Sequence, residues 1–237
     1  LQGRSDPAVR YAHDLVAEGY VGEVLTANLS IMTGAQYERG AGRVWQRLAS
    51  NGANTLTISG GHAIDSLCSI IGELTEVSAR VSTMIPEWYH EGTREPIAVD
   101  APDNISVTGR TTSGAEVNFH VSSVPSSPSG TRFEIFGSKG TLVLQPAGSP
   151  SIGPNKVYGA TNRDPIAEME IPERFLLAPE GTPPGSPRNV AQAYVRFFEA
   201  VERGEASPPD FEVALTRHRL IDAIERSSNE RRTVSLS

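Results

Sequence analysis

One histidine in this sequence is placed for chemistry. In the stretch NGANTLTISGGHAIDSLCSIIG, residues 51–72, the glycine pair Gly60 and Gly61 comes just before His62, and Asp65 follows three residues later. An imidazole moves protons near neutral pH, and a carboxylate one helical turn away is within reach to orient it. Ala63, Ile64, Leu67, Ile70 and Ile71 recur at the spacing of one helix face, so a helix is expected from here to Gly72. Ser59 is its expected cap, and Asp65 falls in the first turn, where a carboxylate suits the helix dipole. The two glycines are expected to break the chain and let the backbone approach a ligand closely. From these residues alone two readings stand: His62 meets a polar small molecule, or it only bonds a neighbouring loop.

Other chemistries find little support. The five histidines, at 13, 62, 90, 120 and 218, show no metal-ligand spacing. The sequence lacks GxSxG, GxxxxGK[ST] and HExxH, and it lacks the dinucleotide fingerprint GxGxxG between a strand and a helix. Net charge is −7 with no cluster of Lys and Arg, which argues against nucleic acid as a direct partner. The single cysteine, Cys68, lies in the apolar helix and reads as a core residue rather than a nucleophile. It cannot form an internal disulfide, so a reducing, cytoplasmic location is expected, and no stretch reads as a signal peptide or a membrane span.

The elements that must position His62 read as an α+β fold within residues 1–237: an open, mostly antiparallel sheet of about six or more strands with helices packed on one face. Ser5 or Asp6 caps a first helix, with Pro7 in its first turn and Ala8, Val9, Ala12, Leu15 and Val16 as its stripe. Residues 1–4 read as the tail of a strand. Leu25, Ala27, Leu29 and Ile31 alternate along a half-buried strand over 24–32, and residues 33–53 read as a long irregular connection holding Arg43 and Trp45. After the central helix come a strand over 76–84, a polar loop over 85–103, a hairpin over 104–124 and another over 131–145. Residues 146–187, rich in Pro and Gly, are expected to wrap the surface, with a short strand at 167–171. A helix over 189–203 carries the stripe Val190, Ala193, Tyr194, Phe197, Phe198 and Val201. Pro208 and Pro209 precede a helix over 211–227, and a short strand closes the chain at 231–236. The polar sheet face either meets water or pairs with a copy of itself.

The order of SDPAVR, VGEVLTANLSI, GANTLTISGGHAIDSLCSIIGE, VSARVSTM, DNISVTGRTTSGAEVNFHV, RFEIFGSKGTLVL and DFEVALTRHRLIDAIERS resembles the C-terminal domain of the glucose–fructose oxidoreductase and inositol dehydrogenase family. The branch it is most similar to contains a galactose-pathway transcriptional repressor and related sugar dehydrogenase-like proteins. The resemblance implies a preceding Rossmann domain that binds NAD or NADP in the complete protein, with residues 1–4 as its remnant and no dinucleotide bound by this chain alone. It implies a sugar-like substrate and a homo-oligomer formed through the sheet face. It makes His62 a catalytic acid or base with Asp65 beside it, and Arg4, Arg43 and Trp45 candidate substrate-binding residues. The family's dehydrogenases often carry an aspartate four residues before this histidine. Ile58 stands there instead and cannot move a proton, so a non-enzymatic regulatory protein on the same fold is the alternative.

Overall fold

The computed structural model describes residues 1–146, 155–206 and 209–236. Helix α1 (Pro7–Ala17) starts where its sequence dictates. The Asp6 carboxylate accepts from the N–H groups of Ala8 (2.9 Å) and Val9 (3.4 Å), and Pro7 occupies the first position, where no N–H is needed. Ala8, Val9, Ala12 and Leu15 are buried. Gln2–Ser5 form a 3-10 turn rather than the expected strand tail. Leu1 and Gly3 carbonyls accept from Arg4 and Asp6, and the turn brings Arg4 back towards the middle of the fold.

Strands β1 (Val24–Met32), β2 (Glu38–Arg39), β3 (Leu74–Ser82), β4 (Glu87–His90), β5 (Pro96–Ala98), β6 (Asn104–Thr111), β7 (Glu116–Ser122), β8 (Gly130–Gly137), β9 (Gly140–Pro146), β10 (Asn155–Thr161), β11 (Ala167–Met169) and β12 (Val234–Ser235) form two sheets. The main sheet is open and has nine strands, in keeping with the expected six or more, in the order β11-β10-β9-β8-β1-β7-β6-β3-β12. Only β1 with β7 is parallel; β1 with β8 and the remaining pairs are antiparallel. Strands β11 and β12 form within the expected short strands at 167–171 and 231–236, whereas β10 escaped the sequence because it has one large aliphatic residue, Val157. Leu25 was expected inward, yet it is exposed. A register shift between Val24 and Thr26 turns Val24 to the core and Leu25 out.

Helices α1, α2 (Gly61–Ile71) and α4 (Phe211–Glu230) share one hydrophobic core with the inward face of this sheet, through residues such as Leu29, Phe119, Leu67 and Ile224. Helix α4 is pinned to the edge: Ser227 and Ser228 hydroxyls accept from the N–H groups of Ala79 (2.9 Å) and Val81 (2.8 Å) in β3. The opposite sheet face is polar. Asn118 donates to Asn28 (3.0 Å), His120 bonds Asn104 (3.0 Å), and Arg110 pairs with Glu116.

Two segments read as loops are instead a small lobe. Strands β2, β4 and β5 form a second sheet over a core of Ile85, Trp88, Ile97, Val99 and Ala101. Asp103 ties the lobe to the main sheet by accepting from Met84 and Ile85, both at 2.8 Å. Helix α3 (Ser186–Arg203) forms as expected, but its apolar stripe is turned outward. Residues 147–154, within the expected surface wrap, and Pro208 lie outside the described residues.

The Asp6 cap makes stability depend on pH. Burial pushes this carboxyl up from 3.8 to about 6, against the opposing pull of Asn155, the Ala8 N–H, Asn189 and the Val9 N–H. A carboxyl that holds its proton more tightly folded than unfolded stabilises the fold below its unfolded value. It loses that contribution as pH rises through the folded one. Asparagine caps equally well and does not titrate. The stability of Asp6→Asn relative to the parent should therefore increase by about 2–3 kcal/mol between pH 4 and pH 7. Urea unfolding at both pH values measures it, and parallel curves would contradict it.

Candidate functional site

The approach to His62 is built by Asn54. Its side-chain oxygen accepts from the N–H groups of Leu56 (2.9 Å) and Thr57 (3.1 Å), while the Thr57 hydroxyl donates to the Gly52 carbonyl at 2.7 Å. This starts one π-helical turn, Leu56–Gly60, that runs unbroken into α2. The cap is thus Asn54, and Ser59 does not serve as one. Nor do the glycines break the chain: Gly60 and Gly61 have helical φ of −63° and −59°. Their lack of a side chain serves packing. A Cβ at Gly60 would lie 3.2 Å from the Thr55 carbonyl and 3.8 Å from the Phe119 ring, and one at Gly61 would lie 3.4 Å from Ile221. The helix start therefore sits tightly against β7 and α4, and the glycines face protein rather than an open approach.

His62 occupies the first turn of α2, half-buried. Its Nδ1 is buried and has no hydrogen-bond partner among the described residues. Burial lowers its pKa below 6.5, and Asp65 pulls the other way. The imidazole is thus neutral at pH 7. A neutral ring with a buried, unpaired nitrogen is poised to accept or donate a hydrogen bond.

Asp65 does not orient that ring. Its carboxylate is 1% exposed and is taken by Arg4, with Nε 2.8 Å from each oxygen and Nη2 2.7 Å from Oδ1. Arg217 of α4 approaches from the other side, Nε 3.4 Å from Oδ1, and its Nη2 also pairs with Glu73. A buried carboxylate held by two guanidiniums fixes the start of the chain, α2 and α4 relative to one another. Cys68, one turn further on, is buried beside Arg217, and its thiol is pushed up to about 12, chiefly by burial.

Arg43 and Trp45 lie apart from this cluster, in the 3-10 turn Ala41–Arg47 of the small lobe. The Trp45 indole is half-exposed and donates to the Gly42 carbonyl at 3.1 Å. Arg43 neighbours Arg39, whose guanidinium covers the Trp88 ring at 4.2 Å and loses basicity to burial and then to Arg43. No bond joins either residue to His62, Asp65 or Arg4 among the described residues. Arg217 and Asn54 were not singled out from the sequence. Asn54 stands at a helix-cap position before Leu56, which is a usable signal. Arg217 is one of several basic residues in α4, and nothing in the spacing marks it as the buried one.

No group of three or more His, Cys, Asp or Glu fit to hold a metal is present among the described residues. The helix N-termini do not suit a dinucleotide pyrophosphate either. Asp6 occupies that of α1 and Asp210 that of α4, α2 continues from the π turn, and α3 opens on Pro187.

The Asp65 cluster sets a stability prediction. Asp65→Asn removes the buried charge that Arg4 and Arg217 share, and should cost about 3–5 kcal/mol. Adding Arg217→Met should restore part of the loss, since the two side chains act as a unit. Urea unfolding of both variants checks this, and a single variant as stable as the parent would refute it.

Residues 9–143 match the family model for the GFO/IDH/MocA C-terminal domain. The dehydrogenase aclE of Aspergillus oryzae is 24% identical over 240 residues, an alignment covering 96% of this chain and 61% of that protein. A super-repressor mutant of Gal80p from Saccharomyces cerevisiae superposes with a TM-score of 0.84 at 22% identity, covering 100% of this chain and 64% of that one. Levoglucosan dehydrogenase in complex with NADH and L-sorbose gives 0.83 at 21%, covering 100% and 65%. This chain spans less than two thirds of each of these proteins. With the match over more than half its length, set on an open sheet with helices on one face, the chain belongs to the GFO/IDH/MocA family.

Proposed function

We propose that this chain is the substrate-binding and dimerisation domain of an NAD(P)-dependent oxidoreductase acting on a sugar, polyol or related compound. The observation that carries the reading is His62: neutral at pH 7, fixed at the start of a packed helix, with a buried Nδ1 that the described protein does not satisfy. Such a group accepts the proton of a substrate hydroxyl when an alcohol is oxidised and returns it when a carbonyl is reduced. Arg4 and Asp65 hold the helix start in place, so Asp65 is a positioning residue here. Arg43 and Trp45 are proposed to close over a substrate from the small lobe. Because the helix N-termini do not form a pyrophosphate site, no dinucleotide contact is assigned to this chain, and NAD or NADP belongs to the complete protein. Dimerisation is assigned to the polar face of the nine-stranded sheet. No described helix is long and apolar enough to cross a membrane.

Ile58 favours a second reading, a non-enzymatic ligand-binding or regulatory protein. It is exposed on the π turn, four residues before His62, where the family resemblance implies a carboxylate. The likeness to Gal80p, a transcriptional regulator, fits the same reading.

The complete gene product, assayed on a panel of sugars and polyols with NAD and NADP, decides between them. Under the enzymatic reading, kcat/KM for alcohol oxidation rises on the acid side with an apparent pKa below 6.5. His62→Asn removes that limb and lowers kcat about 100- to 10,000-fold. An unchanged rate would exclude His62 as acid or base. Ligand binding without turnover would favour the regulatory reading. Asn118→Arg, at the centre of the polar face, should shift the sedimentation mass from dimer to monomer; an unaltered dimer would place the interface elsewhere.

A further inference from the structure

A groove of about 920 Å³ lies beside β12 at the edge of the main sheet, between β3 and the C-terminal end of α4. It is remote from the Asp65 cluster. Arg217, which holds Asp65, and Arg231, in the groove, are fourteen residues apart along α4, or about 21 Å of helix. Arg80, Arg231 and Arg232 line the groove, and none of the described residues lining it is a carboxylate. In a chain of net charge −7 this is a local reversal of sign, in a cleft that concentrates its field.

Two of the three cations are free. Arg232 is engaged, its Nε donating to Glu230 at 2.6 Å. The side chains of Arg80 and Arg231 are exposed, and they make no hydrogen bond or ion pair among the described residues. Cations beyond a helix end also answer its dipole, but that does not account for their placing. The last turn of α4, where the dipole is best answered, has no basic residue. Arg231 follows it with φ 54° and ψ 43°, the left-handed conformation in which a helix usually ends on glycine. Arg80 comes from a strand, in the cross-strand row of Ser106 and His120. Ser228 adds a hydroxyl. It accepts from the Val81 N–H at 2.8 Å, and its own proton has no acceptor among the described residues. Ser227 donates to the Arg232 carbonyl at 2.7 Å and so holds the turn that carries both arginines.

We propose that this groove binds a phosphate monoester, with Arg80 and Arg231 as its guanidinium ligands and Ser228 as a hydroxyl donor. Two free cations match the charge of about −1.5 to −2 on such a group near pH 7. Guanidiniums meet phosphate oxygens through paired N–H···O bonds. The volume is that of a small-molecule site rather than of a bare ion. The site is complete in one chain, and it goes beyond the function proposed above, since it needs neither His62 nor a dinucleotide.

Calorimetric titration of the full chain at constant ionic strength tests it, with inorganic phosphate and glycerol 3-phosphate as probes. Both should bind saturably, one per chain. Arg80→Gln and Arg231→Gly should each weaken binding at least ten-fold. Glycine suits the left-handed position, so the urea midpoint of Arg231→Gly should equal or exceed the parent's, which separates lost binding from lost folding. Lys139→Gln, at an exposed lysine on the β8–β9 turn, should bind like the parent. Absence of saturable binding to the parent would overturn the proposal. An equal loss in Lys139→Gln would also overturn it, because general charge attraction would then suffice. Displacement by chloride at matched ionic strength would mean an adventitious ion only. Binding of phosphate with rejection of the ester would overturn the monoester in favour of the free ion. One phosphate per two chains would overturn the single-chain site and place the anion between copies.

Discussion

The structure depends on one buried carboxylate. Asp65 is almost wholly out of water, a position that costs an isolated ion several kcal/mol. Its penalty is offset by Arg4, sixty-one residues earlier in the chain, and by Arg217, at the far end. Close apolar packing seats the helices on the sheet, and the buried charges add the requirement that they stay paired. The carboxylate thus sets where the first turn and α4 sit against α2, and α2 carries His62. The pairing is a device of position more than of net stability. A well-packed apolar cluster of the same volume could hold the fold as strongly but would define the geometry less sharply.

The glycine pair serves the same end. A side chain at 60 would crowd the Thr55 carbonyl at 3.2 Å, while one at 61 would just reach Ile221. Without them, the π turn and α2 form one continuous rod lying close on β7. A π turn in front of a helix costs regular hydrogen bonding and often accompanies a functional position. Here its effect is to carry the His62 ring on a continuous helical backbone packed against β7, with burial lowering the basicity of the ring.

Local signals were legible in the sequence and long-range ones were not. The Asp6–Pro7 start, the alternation in β1, the hairpins and all four helices follow from spacing, because capping and amphipathicity act within a few residues. The lobe around Trp88 was hidden because β2, β4 and β5 are only two to four residues long and β2 finds its partner β4 some fifty residues along the chain. Register at Leu25 was hidden because one bulge reverses the side-chain alternation. At the site, His62 was visible from its place at the head of an apolar helix. The partners of Asp65 were not, since an aspartate three residues from a histidine looks the same whether it faces the ring or two distant arginines.

Helix α3 shows where amphipathic reasoning fails in an informative way. The stripe was correctly read as one face of a helix, and the inference that it packs inward follows only if the chain buries all its own apolar surface. Gln192 instead anchors the helix by its polar side to Ser5 and Leu177. The main sheet presents the contrary surface, polar and cross-linked by Asn118–Asn28 and His120–Asn104. Its strand edges are already paired except at β11 and β12. A polar, hydrogen-bonded face can remain in water or meet a copy with equal ease, whereas a row of four large apolar side chains cannot remain in water without cost, at about 25 cal/mol for each Å² exposed. The two faces thus have different requirements. Occupation of the sheet face is a matter of affinity, whereas the α3 face carries a standing cost for as long as it stays in water.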